Sequence, residues 1–267
     1  NPVWESWIST NEQTGEWSFV RISDAHAVAD WASQVEALDA IQGLVHPHIN
    51  LAHSHGREGN LHFIIEPYLS NAMRFEPKSV EPWPIIKQLL DVLIYIQRLG
   101  LCHGNIHPDN LLIEGGDNLK ITGMGLRSHR PQAYQQYMSP QILSGTKADI
   151  TDDTFALGCL IYSCLAGKTV GPGEQPDAPL PKALRPILEQ MTSDSVLDRN
   201  LPLPDIKETF RAYYEDSDNQ INIGDFVRPK QSDAQLNQDS QVVTRQSRAV
   251  SIQWVGFALI ALLSVGL

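Results

Sequence analysis

Residues able to do chemistry gather in one short run, Leu101-Cys102-His103-Gly104-Asn105-Ile106-His107-Pro108-Asp109-Asn110-Leu111-Leu112-Ile113. Two imidazoles, two amides and one carboxylate lie within it. Such groups can move a proton from a hydroxyl or offer oxygen to a cation. The central position is ill suited to the first task. Asn105 has no accessible basic form at neutral pH, so it cannot accept a proton from a substrate hydroxyl.

The order of the run resembles the catalytic loop of protein kinases, H-R-D-L-K-P-E-N followed by apolar residues. The resemblance implies the role of each position. His103 matches the family's His, and Asn105 stands where the catalytic Asp belongs. Gly104 replaces the Arg that in many kinases reads activation-loop phosphorylation, which implies that such a switch is absent. His107 falls on the Lys that neutralises the transferred phosphate, and a neutral His does that poorly. Asn110 falls on the metal-binding Asn, and Asp109 on a Glu.

Further landmarks extend the resemblance over most of the chain. Trp17-Ser18-Phe19-Val20-Arg21-Ile22 is similar to the strand that reads V-A-I-K, with Arg21 in place of the phosphate-binding Lys. Arg keeps the charge but is longer and forked. Glu36 precedes His46-Pro47-His48-Ile49, similar to H-P-N-I, and is the match for the helix Glu. An Arg21–Glu36 ion pair is therefore expected, two solvated charges being the alternative. Leu61-His62-Phe63-Ile64-Ile65-Glu66-Pro67-Tyr68-Leu69 resembles the strand and hinge that bond adenine, with Pro67 removing one backbone donor.

Ile121-Thr122-Gly123-Met124-Gly125-Leu126 looks like the strand and D-F-G, with Gly123 at the metal-binding Asp. Glycine has no ligand atom, whereas a hard cation on nucleotide phosphates needs oxygen ligands. Met138-Ser139-Pro140-Gln141 resembles A-P-E, with Gln141 replacing the Glu. Arg199 fits its partner, and a Gln–Arg hydrogen bond is expected in place of the ion pair. Asp152-Asp153-Thr154-Phe155-Ala156-Leu157-Gly158-Cys159 resembles S-D-V-Y-S-L-G-C. Asp153 is then the buried Asp that supports the catalytic-loop backbone, and a helix N-cap role for Asp152 or Asp153 is compatible with that. No glycine-rich loop precedes Trp17. The chain begins at Asn1 without Met, so that loop is expected upstream or lost.

The elements that must position these residues follow from hydrophobic periodicity. Trp4 to Ile8 and Trp17 to Ile22 read as strands around a turn at Asn11–Gly15. Val28, Trp31, Val35, Leu38, Ile41 and Leu44 recur three and four apart, which predicts a helix over 27–44. Two strands lie within 51–69 around Arg57–Asn60. Beyond them come helices at 83–99, 154–165, 184–191 and 206–214, and two short strands at 111–113 and 119–122. Residues 215–248 are polar and poor in large apolar groups, which predicts a linker. Residues 249–267 carry no charge and have the length of a bilayer-spanning helix. Arg245 and Arg248 precede that run and place its N-terminal side in the cytoplasm by the positive-inside tendency.

Composition bounds the rest. The 267 residues suffice for a sizeable core, and a net charge of −11 disfavours nucleic-acid binding. Cys102, Cys159 and Cys164 have no C-x-x-C spacing and read as small core residues.

The expected fold is α+β. It is a bilobal protein kinase-like fold, with a small β-rich lobe carrying one helix and a larger α-helical lobe, plus one C-terminal transmembrane helix. The lobes span 1–70 and 71–214, the linker 215–248 and the membrane helix 249–267. The resemblance implies a pseudokinase, similar to bacterial membrane-bound Ser/Thr kinases and to pseudokinase components of type VII secretion. It would have no catalytic residue, no metal and no cofactor. Protein partners in a membrane complex would bind it, with the kinase-like domain on the cytoplasmic side of the cell (inner) membrane. The rival is a divergent phosphotransferase or nucleotide sensor, which would use ATP and Mg²⁺ through Asn110, Arg21 and Glu36.

Overall fold

The computed structural model describes residues 4–26, 28, 31–77, 82–126, 132–167, 180–215, 250–255 and 258–261. The first lobe is a twisted sheet with one helix against it. Strands β1 (Glu5–Asn11) and β2 (Trp17–Asp24) pair antiparallel across the expected turn, and β2 pairs antiparallel with β4 (Leu61–Pro67). Strand β3 (Ser54–Glu58) closes that side on β4. Register places Phe19 opposite Glu66 and Arg21 opposite Ile64. Paired residues point to the same face, so Phe19, Arg21, Ile64 and Glu66 share one side of the sheet. Val20 and Ile65 fill the other face.

Helix α1 (Trp31–Ile41) buries Gln34, Leu38 and Ile41, spaced at i, i+4 and i+7. Trp31 stacks on the buried His62 ring of β4, with centroids 4.1 Å apart and planes at 10°. This ties the helix to the sheet.

The second lobe forms around two helices. Helix α2 (Pro82–Arg98) buries Ile85, Ile86, Leu89, Leu90, Val92, Leu93 and Ile96. Each such side chain contributes about 1.5–3 kcal/mol of transfer free energy. After β5 (Met73–Arg74), β6 (Leu111–Glu114) and β7 (Asn118–Ile121) make a small sheet on which the catalytic-loop run ends. Helix α4 (Ile150–Ala166) follows the short α3 (Pro140–Leu143) and is buried from Thr151 to Ser163. Asp149 caps α4, and Asp152 completes a reciprocal capping box with it. The N-cap is thus Asp149, upstream of both expected residues. Gly158 lets α5 (Arg185–Met191) approach closely, since a Cβ there would lie 2.8 Å from Met191 Cβ. Helices α6 (Val196–Arg199) and α7 (Leu203–Glu215) complete the lobe.

One expected element differs. The described residues of the 249–267 run are strands β8 (Val250–Val255) and β9 (Ala258–Ala261), and β8 pairs parallel with β1. No helix among the described residues is long and apolar enough to cross a membrane. The reason lies in the residues. Val250-Ser251-Ile252-Gln253-Trp254 alternates apolar and polar with a period of two, and an uncharged run alone does not separate strand from helix. The expected linker, apart from Glu215 at the end of α7, lies outside the described residues.

Candidate functional site

The catalytic-loop run is held from beneath by Asp153. This residue is 1% exposed, and its two carboxylate oxygens accept the backbone N–H groups of His103 at 2.6 Å and Gly104 at 2.8 Å. His103 Nδ1 in turn accepts from the Asn105 backbone N–H at 3.2 Å. The loop conformation therefore depends on a carboxylate on α4 and an imidazole of the loop itself.

At the centre Asn105 is 4% exposed, and its Nδ2 donates to Gly123 O at 3.2 Å. Its Oδ1 is buried with no hydrogen-bond partner among the described residues. Asn110 Nδ2 donates to Asn105 O at 2.9 Å and lies 2.9 Å from His107 Nε2. The Asn105 carbonyl fixes which end of the Asn110 amide points inward. With Asn110 Nδ2 as the donor, His107 Nε2 stands as the acceptor of this contact.

The outer side of the loop is clasped. Tyr134 stacks on His107 with ring centroids 4.4 Å apart. The Tyr134 hydroxyl donates to Asp109, and Arg74 Nη1 of β5 meets the same carboxylate at 2.9 Å. Burial and this bond push the Tyr134 hydroxyl up to about 12.

Between the lobes Arg21 pairs with Glu66 rather than with Glu36. Arg21 Nε lies 3.0 Å from Glu66 Oε2, and Glu66 Oε1 accepts the Gly123 N–H at 3.1 Å. Glu66 is only 2% exposed. The helix phase excludes the expected pair. Gln34, Leu38 and Ile41 face inward, so Glu36 is turned out of that face and is exposed. Glu36 lines a cleft of about 580 Å³ with Gln97, Gly104, Lys147 and Asp149, and Arg21 is not in that lining. The inward residue of α1 is Gln34, whose Nε2 donates to Gly125 O at 2.6 Å. Sequence reading missed both Glu66 and Gln34. Counting by twos from the core residue Ile64 places Glu66 on the Arg21 face, and the stripe Leu38–Ile41 extended by one turn reaches Gln34.

Gly123 offers no side-chain ligand at the position that the resemblance gives to the metal. Gly123 has φ +71°, and a Cβ built on it would lie 2.9 Å from Asn110 Nδ2 and 3.0 Å from Asn110 Cγ and Oδ1. The Asn110 amide thus occupies the space that a side chain at 123 needs. No group of three or more His, Cys, Asp or Glu able to hold a metal occurs among the described residues.

Behind the loop, Arg199 is fully buried. Its Nη2 donates to Gln141 Oε1 at 2.7 Å, as the sequence predicts, and lies 3.6 Å from Asp152 Oδ1. Its other donors reach Ser193 O and Thr151 O. Burial lowers the guanidinium pKa, and Asp152 opposes that shift. Burial also raises the Cys159 thiol, and raises Cys164 to about 12. Neither forms a thiolate readily.

A two-lobed fold with this loop, hinge strand and buried Asp–loop contact defines the kinase architecture. Comparison with known families gives the same result: residues 31–209 match the protein kinase domain, and the chain belongs to that family. A putative cyclin-dependent kinase F-2 of Oryza sativa subsp. japonica is 28% identical, over 54% of this chain and 51% of its own length. A probable serine/threonine-protein kinase of Clostridium acetobutylicum is 22% identical, over 74% of this chain and 33% of its own length. Among solved structures, the PknI kinase domain of Mycobacterium tuberculosis superposes with a TM-score of 0.61 at 18% identity, covering 78% of this chain and 90% of that one. The chain spans about half or less of these curated relatives.

Proposed function

We propose that this protein is a catalytically inactive member of the kinase family, a docking or regulatory subunit of a membrane complex. The observation that carries the reading is the pairing of two losses. Asn105 stands at the position of the base with its amide bonded to Gly123 O, and Gly123 stands at the metal position with its side-chain space filled by Asn110. A phosphoryl transfer needs both a hydroxyl-orienting acid residue and carboxylate ligands to the metal. The second lobe is kept intact through Asp153 and Arg199, which suits a domain used for its surface.

The uncharged run 249–267 supports attachment to a membrane, with the kinase-like domain on the cytoplasmic side and protein partners there. Within it β8 pairs with β1 and β9 with β8, so attachment requires the β1–β8 pairing to be released. The kinase names of the relatives favour a second reading, a divergent phosphotransferase.

One assay separates the two. The full chain is incubated with labelled ATP and Mg²⁺ or Mn²⁺, alone and with general acceptor proteins, and no transfer is expected. Transfer above a heat-denatured control overturns the inactive reading. Capture of the tagged chain from solubilised membranes tests the docking role, and its recovery alone as a monomer counts against that role. Removing 249–267 should release the chain from the membrane fraction.

A further inference from the structure

We propose that Glu66 is a built-in anion that keeps nucleotide out of the cleft between the lobes. The idea deepens the inactive reading, on which it rests, by naming what occupies the site instead of a ligand.

The carboxylate bridges the lobes. Each of its oxygens takes one donor, the Arg21 guanidinium from β2 and the Gly123 N–H from the turn after β7. Arg21 is the cation that a phosphate in this cleft would need, and it is already neutralised. Glu66 is 2% exposed, and a charge so buried is costly unless paired, so the bridge is persistent rather than incidental. An entering phosphate would meet like charge at short range in a poorly screened site. It would also have to break both of these bonds. Glu66 lies opposite Phe19 in the β2–β4 ladder, so the backbone register sets its position and the side chain has little freedom to retreat.

This differs from the loss of chemistry at Asn105. A kinase fold can lose its base and still bind nucleotide. Here the cleft carries its own counter-ion.

The test is a thermal-shift titration of the full chain with ATP, with and without Mg²⁺, for wild type and Glu66→Gln. Gln keeps the size and can still accept from Gly123 N–H, but it removes the charge and frees Arg21. Wild type should show no rise in melting temperature. Glu66→Gln should show a rise of several degrees at ATP in roughly hundred-fold excess over its Kd. If Glu66→Gln does not fold, Glu66→Met, uncharged and of similar length, takes its place. A rise in wild type overturns the proposal, and so does the absence of any rise in a folded variant. The outcomes stay distinct from those of the inactive reading. Wild type that binds ATP without transferring phosphate defeats the built-in anion alone, whereas wild type that transfers phosphate defeats the inactive reading as well.

Discussion

Arg199 donates to the amide oxygen of Gln141 across 2.7 Å, although the family places a carboxylate at that position. The missing charge is present nearby, on Asp152, 3.6 Å from the same nitrogen. Asp152 also accepts from Ser139 Oγ and from the Asp149 N–H, so one carboxylate serves the capping box and the buried guanidinium. Removing it with Asp152→Ala leaves Arg199 buried without its counter-ion and should cost about 3 kcal/mol in chemical denaturation. Restoring the family residue with Gln141→Glu should not stabilise. It would place a second carboxylate beside Asp152 and forfeit the bond from Gln141 Nε2 to Asp194 O. A lower melting temperature for Gln141→Glu is the expected result.

Asp153→Ala removes the acceptor of two loop amides at once. A loss of about 3 kcal/mol is expected, since two buried donors are orphaned. Hydrogen exchange locates the effect: the His103 and Gly104 amides should lose protection while those of α2 keep theirs. Asp153→Asn keeps one acceptor oxygen and should lie between the two.

Gly123→Asp, the change that would return a metal ligand, should instead destabilise. The new Cβ meets the Asn110 amide at 2.9–3.0 Å, and φ +71° is a left-handed conformation that a residue with a Cβ adopts at a cost, although Asp bears it better than most. A cost of about 1–3 kcal/mol is expected. The double change Asn105→Asp with Gly123→Asp should yield no phosphoryl transfer.

Acid should weaken the fold through histidine. Burial lowers the pKa of His46, His53 and His62 below 6.5, and for His62 the Arg57 charge adds to the effect. A base with a depressed folded-state pKa binds its proton first in the unfolded chain, so stability is complete above pH 6.5 and falls as pH drops below it. His62→Phe keeps the stack on Trp31 but cannot titrate. Melting temperature measured between pH 7.5 and 5.5 should fall less steeply for this variant than for wild type.

How much of this was legible in the sequence depended on what fixes each position. The contacts of Asp153 with the loop and of Arg199 with Gln141 are what the resemblance to the kinase motifs implies, and the structure shows both. The Arg21 partner did not follow. It depends on the register between β2 and β4, which is a pairing between distant strands. For Glu36 the sequence carries the contrary signal, since the apolar stripe turns position 36 away from the face of Leu38 and Ile41. The lack of charge in the run 249–267 suggests a membrane helix. Its two-residue alternation at 250–254 was the competing signal, and β8 follows it.

The fit of Asn110 against Gly123 also limits single substitutions. A lone return of a side chain at 123 lands in filled space, and a lone change at 110 removes the amide that bonds Asn105 O and His107. Either first step costs packing or hydrogen bonds. On the inactive reading, a side chain at 123 therefore calls for paired changes at 110 and 123 rather than a single substitution.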